Sequence, residues 1–367
     1  MSSLITLPGL IDIHVHLRDP GQTNKEDFYT GTSAALAGGV TAVFDMPNNK
    51  EPILTYERLS AKRNIAEGKA VCDFGLYFGT DGKNIHEFPK VKDKVVGLKI
   101  YLNITTGRLL VEEERLVEAI FASWPKEKVI VVHAEGEKID LVIQLCSRYG
   151  NKIHITHITT RNDLEKVIIA KRNKLPVTCD VTPHHLFLFN DQKENIFYST
   201  LGRKKIEYNI SKMIVVKPSI ALRRDVEYIW EQLTYVDCIA TDHAPHTREE
   251  KQSSNPASGV PGLETMLPLL LTAVKQKRLT LADIIRLTNT NPQKIFGFKQ
   301  DKNTYVEIDA EEEYEIRNEH LFTKCGWSPF HGWKVYGRIK RVYLRGKKVF
   351  ADGKVLTKPG FGKHIEL

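Results

Sequence analysis

Eight short apolar, β-branched segments separated by helix-like stretches, with histidines and acids gathered at the segment ends, predict an α/β fold: a (β/α)8 TIM-type barrel with a small β appendage. The segments span residues 10–17, 41–47, 72–79, 95–102, 129–134, 152–158, 177–181 and 236–240. Apolar residues at helical spacing fill intervals between them, for example 30–37, 112–124, 140–149, 164–171 and 225–233. Strand, helix and strand in succession imply parallel pairing, and eight repeats suggest closure into a barrel.

Two stretches interrupt the repeat, 189–213 after the seventh segment and 249–262 after the eighth, and both are expected as long loops over one face. From residue 304 the pattern changes to short strands, including 338–344 and 347–355, the latter with an Asp352-Gly353 turn signal. The expected division is residues 8–300 as the barrel, with 1–7 and 301–367 as the appendage, built mainly from the C-terminal tail. The chain starts almost directly at the first barrel strand, so little N-terminal β structure is expected.

Composition narrows the function classes. Hydrophobic residues at 41% and charged residues at 27% suit a globular protein rather than a disordered or fibrous one. No apolar run reaches the length of a bilayer, and residues 1–10 lack the pattern of a secretion signal, so no membrane role and a cytoplasmic location are expected. Cysteines 72, 146, 179, 238 and 325 form no Cys-x-x-Cys pair, which argues against a disulfide framework or a thiolate zinc knuckle. The net charge of +8 is scattered along the chain without a nucleic-acid motif, so no nucleic-acid partner is expected. A solvated basic surface also helps draw in a small anionic substrate.

The chemistry gathers where barrel strands end, which is where such folds build active sites. His14 and His16 close the first segment, and alternation along a strand points both rings to one side, able to grip one metal ion. His133 ends the fifth segment, His157 the sixth, and the eighth leads into Asp242. Any one of these histidines alone would be read as a hydrogen-bonded structural residue, and Lys99, in the apolar fourth segment, as a snorkelling side chain. Their convergence on one rim makes chance a poor account. A pair of divalent ions needs more negative charge than four imidazoles and one carboxylate supply. Burial pulls a lysine pKa below its usual value of about 10.4. The neutral amine can then take up carbon dioxide as a carbamate, an anion with two oxygens able to bridge two metals.

Several motifs carry a resemblance that covers nearly the whole chain: His14-Val15-His16-Leu17-Arg18-Asp19-Pro20-Gly21, Met46-Pro47-Asn48, Gly97-Leu98-Lys99, His133-Ala134-Glu135, Pro183-His184-His185 and Asp242-His243-Ala244-Pro245-His246. Together they resemble the amidohydrolase superfamily and within it the dihydroorotases, most closely the dihydroorotase portion of the animal multifunctional pyrimidine-synthesis protein. The resemblance implies reversible, zinc-dependent cyclisation of N-carbamoyl-L-aspartate to L-dihydroorotate in pyrimidine (UMP) synthesis. It implies two Zn2+ per chain, one held by His14, His16 and Asp242, the other by His133 and His157, with carboxylated Lys99 and a hydroxide between them. Asp242 would take the hydroxide's proton and pass it to the departing ring nitrogen.

By the same resemblance Arg18, Asn48 and His246 hold the substrate carboxylate. Arg18 lies two positions beyond His16, hence on the same side if extended geometry persists, and its planar fork suits a carboxylate. The bland alternatives are a surface ion pair for Arg18, a turn residue for Asn48 and a loop cap for His246. The loop 101–109, with Asn103, Thr105, Thr106 and Gly107, resembles a mobile lid whose Thr105 reaches the substrate, although an ordinary polar loop explains it nearly as well. Lys217 replaces an arginine of the animal relatives, keeping the charge but losing the fork, and backbone near Ser258 completes the expected substrate contacts. Thr156 and Asp180 stand where those relatives have a Cys and a Glu beside a third metal, so a third zinc is not expected. A homodimer follows from resemblance alone, which leaves association with other pyrimidine enzymes, aspartate carbamoyltransferase among them, open. The competing readings are an allantoinase or dihydropyrimidinase, which share the metals but not a carboxylated substrate, and an inactive scaffold paralogue, which would be expected to have lost metal ligands.

Overall fold

A computed structural model describes residues 4–105, 107, 109–191, 196–200 and 212–367. The chain opens with β1 (Ile5–Pro8) and β2 (Leu10–Val15). It continues through helix Phe28–Ala37, β3 (Val40–Asp45), helix Tyr56–Lys69, β4 (Asp73–Gly79), β5 (Gly97–Tyr101), helix Glu114–Ser123 and β6 (Ile130–His133). Helix Glu137–Tyr149, β7 (Ile153–Ile155), helix Arg161–Arg172 and β8 (Val177–Val181) follow. The first long interruption contains an antiparallel pair, β9 (Leu188–Asp191) and β10 (Ile196–Ser199), and helix Arg223–Glu231 then leads into β11 (Cys238–Ile239). The basic cluster at 202–205 lies outside the described residues.

The eight barrel strands pair in parallel in the order β2-β3-β4-β5-β6-β7-β8-β11. A bridge between Val15 and His243, with His16 N–H donating to the His243 carbonyl at 2.8 Å, joins the first strand to the segment after the last. Asp12 reinforces that seam: its carboxylate accepts from the Thr241 N–H at 3.1 Å and from the His14 N–H at 3.2 Å.

Strand alternation sorts the side chains into two cores. Leu98, Ile100, Ile130, Val132, Ile153, Ile155, Cys179 and Val181 face the surrounding helices in one large cluster. Ile11, Ile13, Phe44, Tyr77, Val96, Val129, Val131, Cys238, Ala240 and Phe296 form a second cluster that fills the barrel. Phe296 comes from the C-terminal helix Asn291–Phe296 and packs edge-on against Phe44, ring centroids 5.1 Å apart. Gly75 makes room for this packing. A Cβ there would stand 2.3 Å from Val96 and 2.8 Å from Phe44.

Helix starts carry the expected caps. Asp27, Thr55 and Thr160 each accept a backbone N–H from the first turn. Helix Met266–Lys275 differs, being buried on nearly every side because β13 (Lys334–Leu344) covers the face turned away from the barrel. It therefore lacks the amphipathic stripe by which a surface helix is recognised.

The appendage is an antiparallel sheet in the order β1-β12-β13-β14-β15, with β12 (Tyr305–Glu315), β14 (Lys347–Ala351) and β15 (Lys354–Val355). The tail supplies four of its strands, as expected. The N-terminal segment contributes more than expected: Ile5 to Pro8 pair in full register with Ile308 to Tyr305. A lone strand has no local signal that survives without its distant partner, which explains the difference.

Candidate active site at the strand ends

The seam of the barrel brings His14, His16 and Asp242 together. His14 Nε2 and His16 Nε2 approach the same Asp242 oxygen, Oδ1, at 3.2 and 2.9 Å. Simple alternation does not explain this pair, since Ile11 and Ile13, of opposite parity to the histidines, also face inward. A register shift between Asp12 and Val15 absorbs the difference, after which alternation carries His14 and His16 to the same side. Burial pushes the Asp242 carboxyl up, but His14 and the hydrogen bond from His16 outweigh it and hold the group well below the usual carboxylate range. Burial also holds His14 and His157 neutral, their pKa values well below the usual histidine value.

Lys99 rises from the inward face of β5, fully buried, and donates to Thr156 Oγ1 at 3.3 Å. Among the described residues no carboxylate ion-pairs with it. Burial therefore dominates, only partly offset by Asp180 and Asp242, and its pKa is pushed down to about 7. His133 and His157 stand beside it, His133 Nδ1 and His157 Nε2 being 2.8 Å apart. Asp180 occupies itself elsewhere: Oδ1 accepts the His157 N–H at 2.7 Å and Oδ2 meets His154 Nε2 at 2.9 Å.

Three site residues adopt left-handed backbone, Arg18 at φ 63°, His157 at φ 42° and Asp242 at φ 46°. Such a conformation costs a non-glycine residue about 1–3 kcal/mol and persists only where surroundings enforce it. It corrects one expectation. Extended geometry does not carry Arg18 to the side of His16, because β2 ends at Val15 and the chain turns, with Leu17 N–H donating to Asp45 Oδ1 at 2.7 Å and Gln22 N–H to the Arg18 carbonyl at 2.9 Å. Arg18 reaches the cavity by that turn instead.

The cavity is lined by His14, His16, Arg18, Asn48, Tyr101, Thr105, His133, His157, Lys217, Asp242, Ala244, Ser258 and Gly259. Asn48 Oδ1 lies 2.7 Å from His16 Nδ1, which ties the turn after β3 to the histidine cluster. Gly259 (φ 136°) lets two loops meet, since a Cβ there would stand 2.5 Å from the Ala244 carbonyl oxygen. His246 is not in the lining of this cavity but adjoins two residues that are, its Nε2 lying 3.2 Å from Arg18 Nη2 and 3.0 Å from the Ser258 carbonyl. Thr105 faces the cavity, whereas Thr106 and Arg108 of the same loop lie outside the described residues.

Sequence reasoning missed Tyr101. Its ring lies 5.0 Å from Lys99 Nζ and its hydroxyl is buried without a hydrogen-bond partner, available to a bound molecule. The signal was present, because Tyr101 shares strand parity with Lys99. It also missed Lys62, which is fully buried and pairs with Asp45 at 2.6 Å while donating to the Met46 carbonyl at 2.7 Å and Asn49 Oδ1 at 2.8 Å. Lys62 thereby holds both sides of the turn that carries Asn48.

The donor set fits a divalent cation. One ligand atom from each of His14, His16 and Asp242 lies within 4.8 Å of the others. His14 Nδ1 and His157 Nδ1 are buried without partners, and the ligand types, imidazole and carboxylate, are those that zinc takes.

Comparison with known proteins agrees with this geometry. Residues 5–304 match the model of the amidohydrolase family. The multifunctional protein CAD of Squalus acanthias is 44% identical over 99% of this chain, which spans 16% of that longer protein. The dihydroorotase of Pyrococcus abyssi is 36% identical, with 97% of this chain covering 86% of that one. Among solved structures, an inactive dihydroorotase-like domain of the Chaetomium thermophilum CAD-like multifunctional protein superposes with a TM-score of 0.81 at 26% identity, covering 99% of this chain and 100% of that one. The chain belongs to the amidohydrolase family, among its dihydroorotase sequences.

Proposed function

We propose that this protein is a dihydroorotase, closing N-carbamoyl-L-aspartate to L-dihydroorotate, and opening it again, in pyrimidine synthesis. The observation that carries the reading is the buried guanidinium of Arg18, which lines the same small cavity as the His14, His16 and Asp242 cluster. A ring amide bearing a carboxylate needs both halves. Allantoin and dihydrouracil lack the carboxylate, and for them a buried Arg18 would have no carboxylate in direct contact, only the more distant Asp242, Asp45 and Glu250. The inactive relative shares the fold, so the fold cannot separate an enzyme from a scaffold. Side chains must decide, and here all six metal-ligand positions of the family pattern are filled: His14, His16, Lys99, His133, His157 and Asp242.

In this reading His14, His16 and Asp242 would hold one zinc ion and His133 and His157 a second. Lys99 would supply the anion between them: its neutral Nζ forms a bond to the carbon of CO2 and loses a proton, leaving a carbamate. A divalent pair, when bound, supplies Lewis-acid polarisation of a carbonyl and acidification of water. Asp242 accepts a proton from the attacking water and returns it to the ring nitrogen as the amide bond breaks, and ring closure reverses the order. Arg18, Asn48 and His246 bind the substrate carboxylate, with Lys217, Thr105 and backbone near Ser258 around it. His184 and His185 take no part in these steps; His185 Nε2 donates to the Pro218 carbonyl at 3.0 Å, next to Lys217. No helix among the described residues is long and apolar enough to cross a membrane. A cytoplasmic homodimer, in contact with other enzymes of the pathway, completes the proposal.

The test is metal analysis of the purified protein together with carbamoyl-aspartate cyclisation across pH. About two zinc ions per chain and turnover of dihydroorotate are expected. Opening of allantoin or dihydrouracil without turnover of dihydroorotate would overturn the assignment, and a metal-free protein inert toward all three would favour the scaffold.

A further inference from the structure

Each ring nitrogen of His246 faces two groups with opposite demands. Nε2 lies 3.2 Å from Arg18 Nη2, which can only donate, and 3.0 Å from the Ser258 carbonyl oxygen, which can only accept. Nδ1 lies 3.3 Å from Lys25 Nζ, a donor, and 3.3 Å from Glu250 Oε2, an acceptor. A neutral imidazole carries one N–H and satisfies one set of partners at a time. Either Nε2–H donates to Ser258 while Nδ1 accepts from Lys25, or Nδ1–H donates to Glu250 while Nε2 accepts from Arg18. Double protonation is no escape, since burial, Arg18, Lys25 and Lys251 push the ring's pKa down to about 2.

The surroundings weight the choice. Lys25 is itself buried, 7% exposed, and pairs with Glu250 Oε1 at 2.7 Å. Glu250 Oε2 already accepts the Thr247 N–H at 3.1 Å, as the reciprocal half of a capping box that starts helix Arg248–Gln252. The acceptor offered to Nδ1 is thus engaged, whereas the Lys25 ammonium has three hydrogens and one carboxylate partner.

We propose that Lys25, held by Glu250, is a specificity-determining positioning residue. By donating to His246 Nδ1 it fixes the ring N–H at Nε2, so that His246 and Arg18 together present two donors to a substrate carboxylate. The inference rests on the reading that a carboxylate is bound at Arg18. It adds why a buried lysine that lines no part of the cavity should matter to substrate choice. A carboxylate arriving at Arg18 offers Nε2–H a charged acceptor in place of the Ser258 carbonyl, and hydrogen bonds to charged groups are the stronger kind. A ring without a carboxylate makes no use of this arrangement.

The first test needs no variant. In the metal-loaded protein labelled with 15N-histidine, the His246 signal, assigned by its loss in His246→Gln, is expected to show Nε2 protonated and Nδ1 bare. A ring protonated at Nδ1 overturns the proposal whatever the substrate proves to be, so this outcome is independent of the assigned activity. The second test is Lys25→Met. KM for dihydroorotate is expected to rise about tenfold or more with kcat within about twofold, the ring shifting toward Nδ1–H, and Lys25→Arg restoring most of the affinity. An unchanged KM overturns the proposal, as does equal loss of kcat and metal content, which would mark Lys25 as a structural support. Failure of the wild-type protein to turn over dihydroorotate would instead sink the substrate reading, leaving the tautomer result to stand or fall alone.

Discussion

The two ends of the barrel solve opposite problems with the same strands. At the closed end Ile11, Phe44, Val96, Val129 and Phe296 are buried hydrocarbon, each large side chain contributing about 1.5–3 kcal/mol. At the mouth the inward positions become Lys99, His133, Thr156, Asp180 and Asp242, and the backbone of Arg18, His157 and Asp242 turns left-handed at a cost of about 1–3 kcal/mol each. What one end contributes lets the other hold charged and strained groups. The contrast is sharpest between two buried lysines. Lys62 meets a carboxylate and two further oxygens and is a structural tie, whereas Lys99 has one long hydroxyl contact and the Tyr101 ring, which leaves its amine free for the carbamate proposed above.

The largest expected effect follows from that difference. Lys99→Ala should reduce turnover by about 1000-fold or more, with partial recovery on adding small carboxylic acids that replace the missing anion. Unchanged activity would refute the bridge. In the metal-free protein the same lysine should be a burden on stability. Its folded pKa of about 7 lies below the ordinary lysine value of 10.5, so between those values the unfolded chain binds more protons. Stability should therefore climb as pH rises through that window and level off above it, and Lys99→Met should flatten the climb. Urea unfolding of both proteins across the window checks the sign.

Lys62→Met is expected to do the reverse, leaving Asp45 buried without its counter-ion and costing about 3–5 kcal/mol. Chemical denaturation measures it directly. A stability change near zero would mean that Asp45 finds another partner and that the contrast between the two lysines is weaker than their contacts suggest.

A smaller effect separates the anion side of the mouth from the metal side. Arg18→Met removes charge-assisted hydrogen bonds worth about 1.5–3 kcal/mol, a tenfold to hundredfold rise in KM for dihydroorotate, while metal content stays near the wild-type level. Equal loss of affinity and metal would make Arg18 a support of the turn after β2, consistent with its hydrogen bond to the Pro245 carbonyl at 3.2 Å.

What could be read in the sequence divides along physical lines. The barrel and the cluster of ligand-type residues were legible because periodicity is local: the seven residues Asp73–Gly79 or the five of Gly97–Tyr101 carry their own pattern. The exits from strands were not. The expected sixth and eighth segments shrink to Ile153–Ile155 and Cys238–Ile239, because His157 and Asp242 leave the extended region soon after, and no glycine marks either positive φ. The bulge in β2 is likewise invisible, being set by the seam that Asp12 makes with Thr241, far along the chain. Lys25 and Glu250 escaped notice for the same reason, since a lysine and a glutamate look like solvated charge until the fold buries them against His246.

The smallest predicted effect tests how far the appendage is separable from the mouth. Asp352 and Gly353, at φ 51° and 69°, form the tight turn between β14 and β15 that the Asp-Gly pair anticipates. A Cβ on Gly353 meets nothing within 4 Å, so Gly353→Ala isolates the backbone cost, about 1–2 kcal/mol for an L-residue held left-handed. Kinetics with dihydroorotate and metal content should not move. The appendage does touch the site from behind elsewhere, where Glu26 joins the Lys324 N–H at 3.2 Å to His243 Nε2 at 3.3 Å, one residue from Asp242. If the hairpin substitution nevertheless altered KM or metal content, strain would have to travel through that contact, and the sheet would be part of the catalytic scaffold rather than a cover over the outer helices.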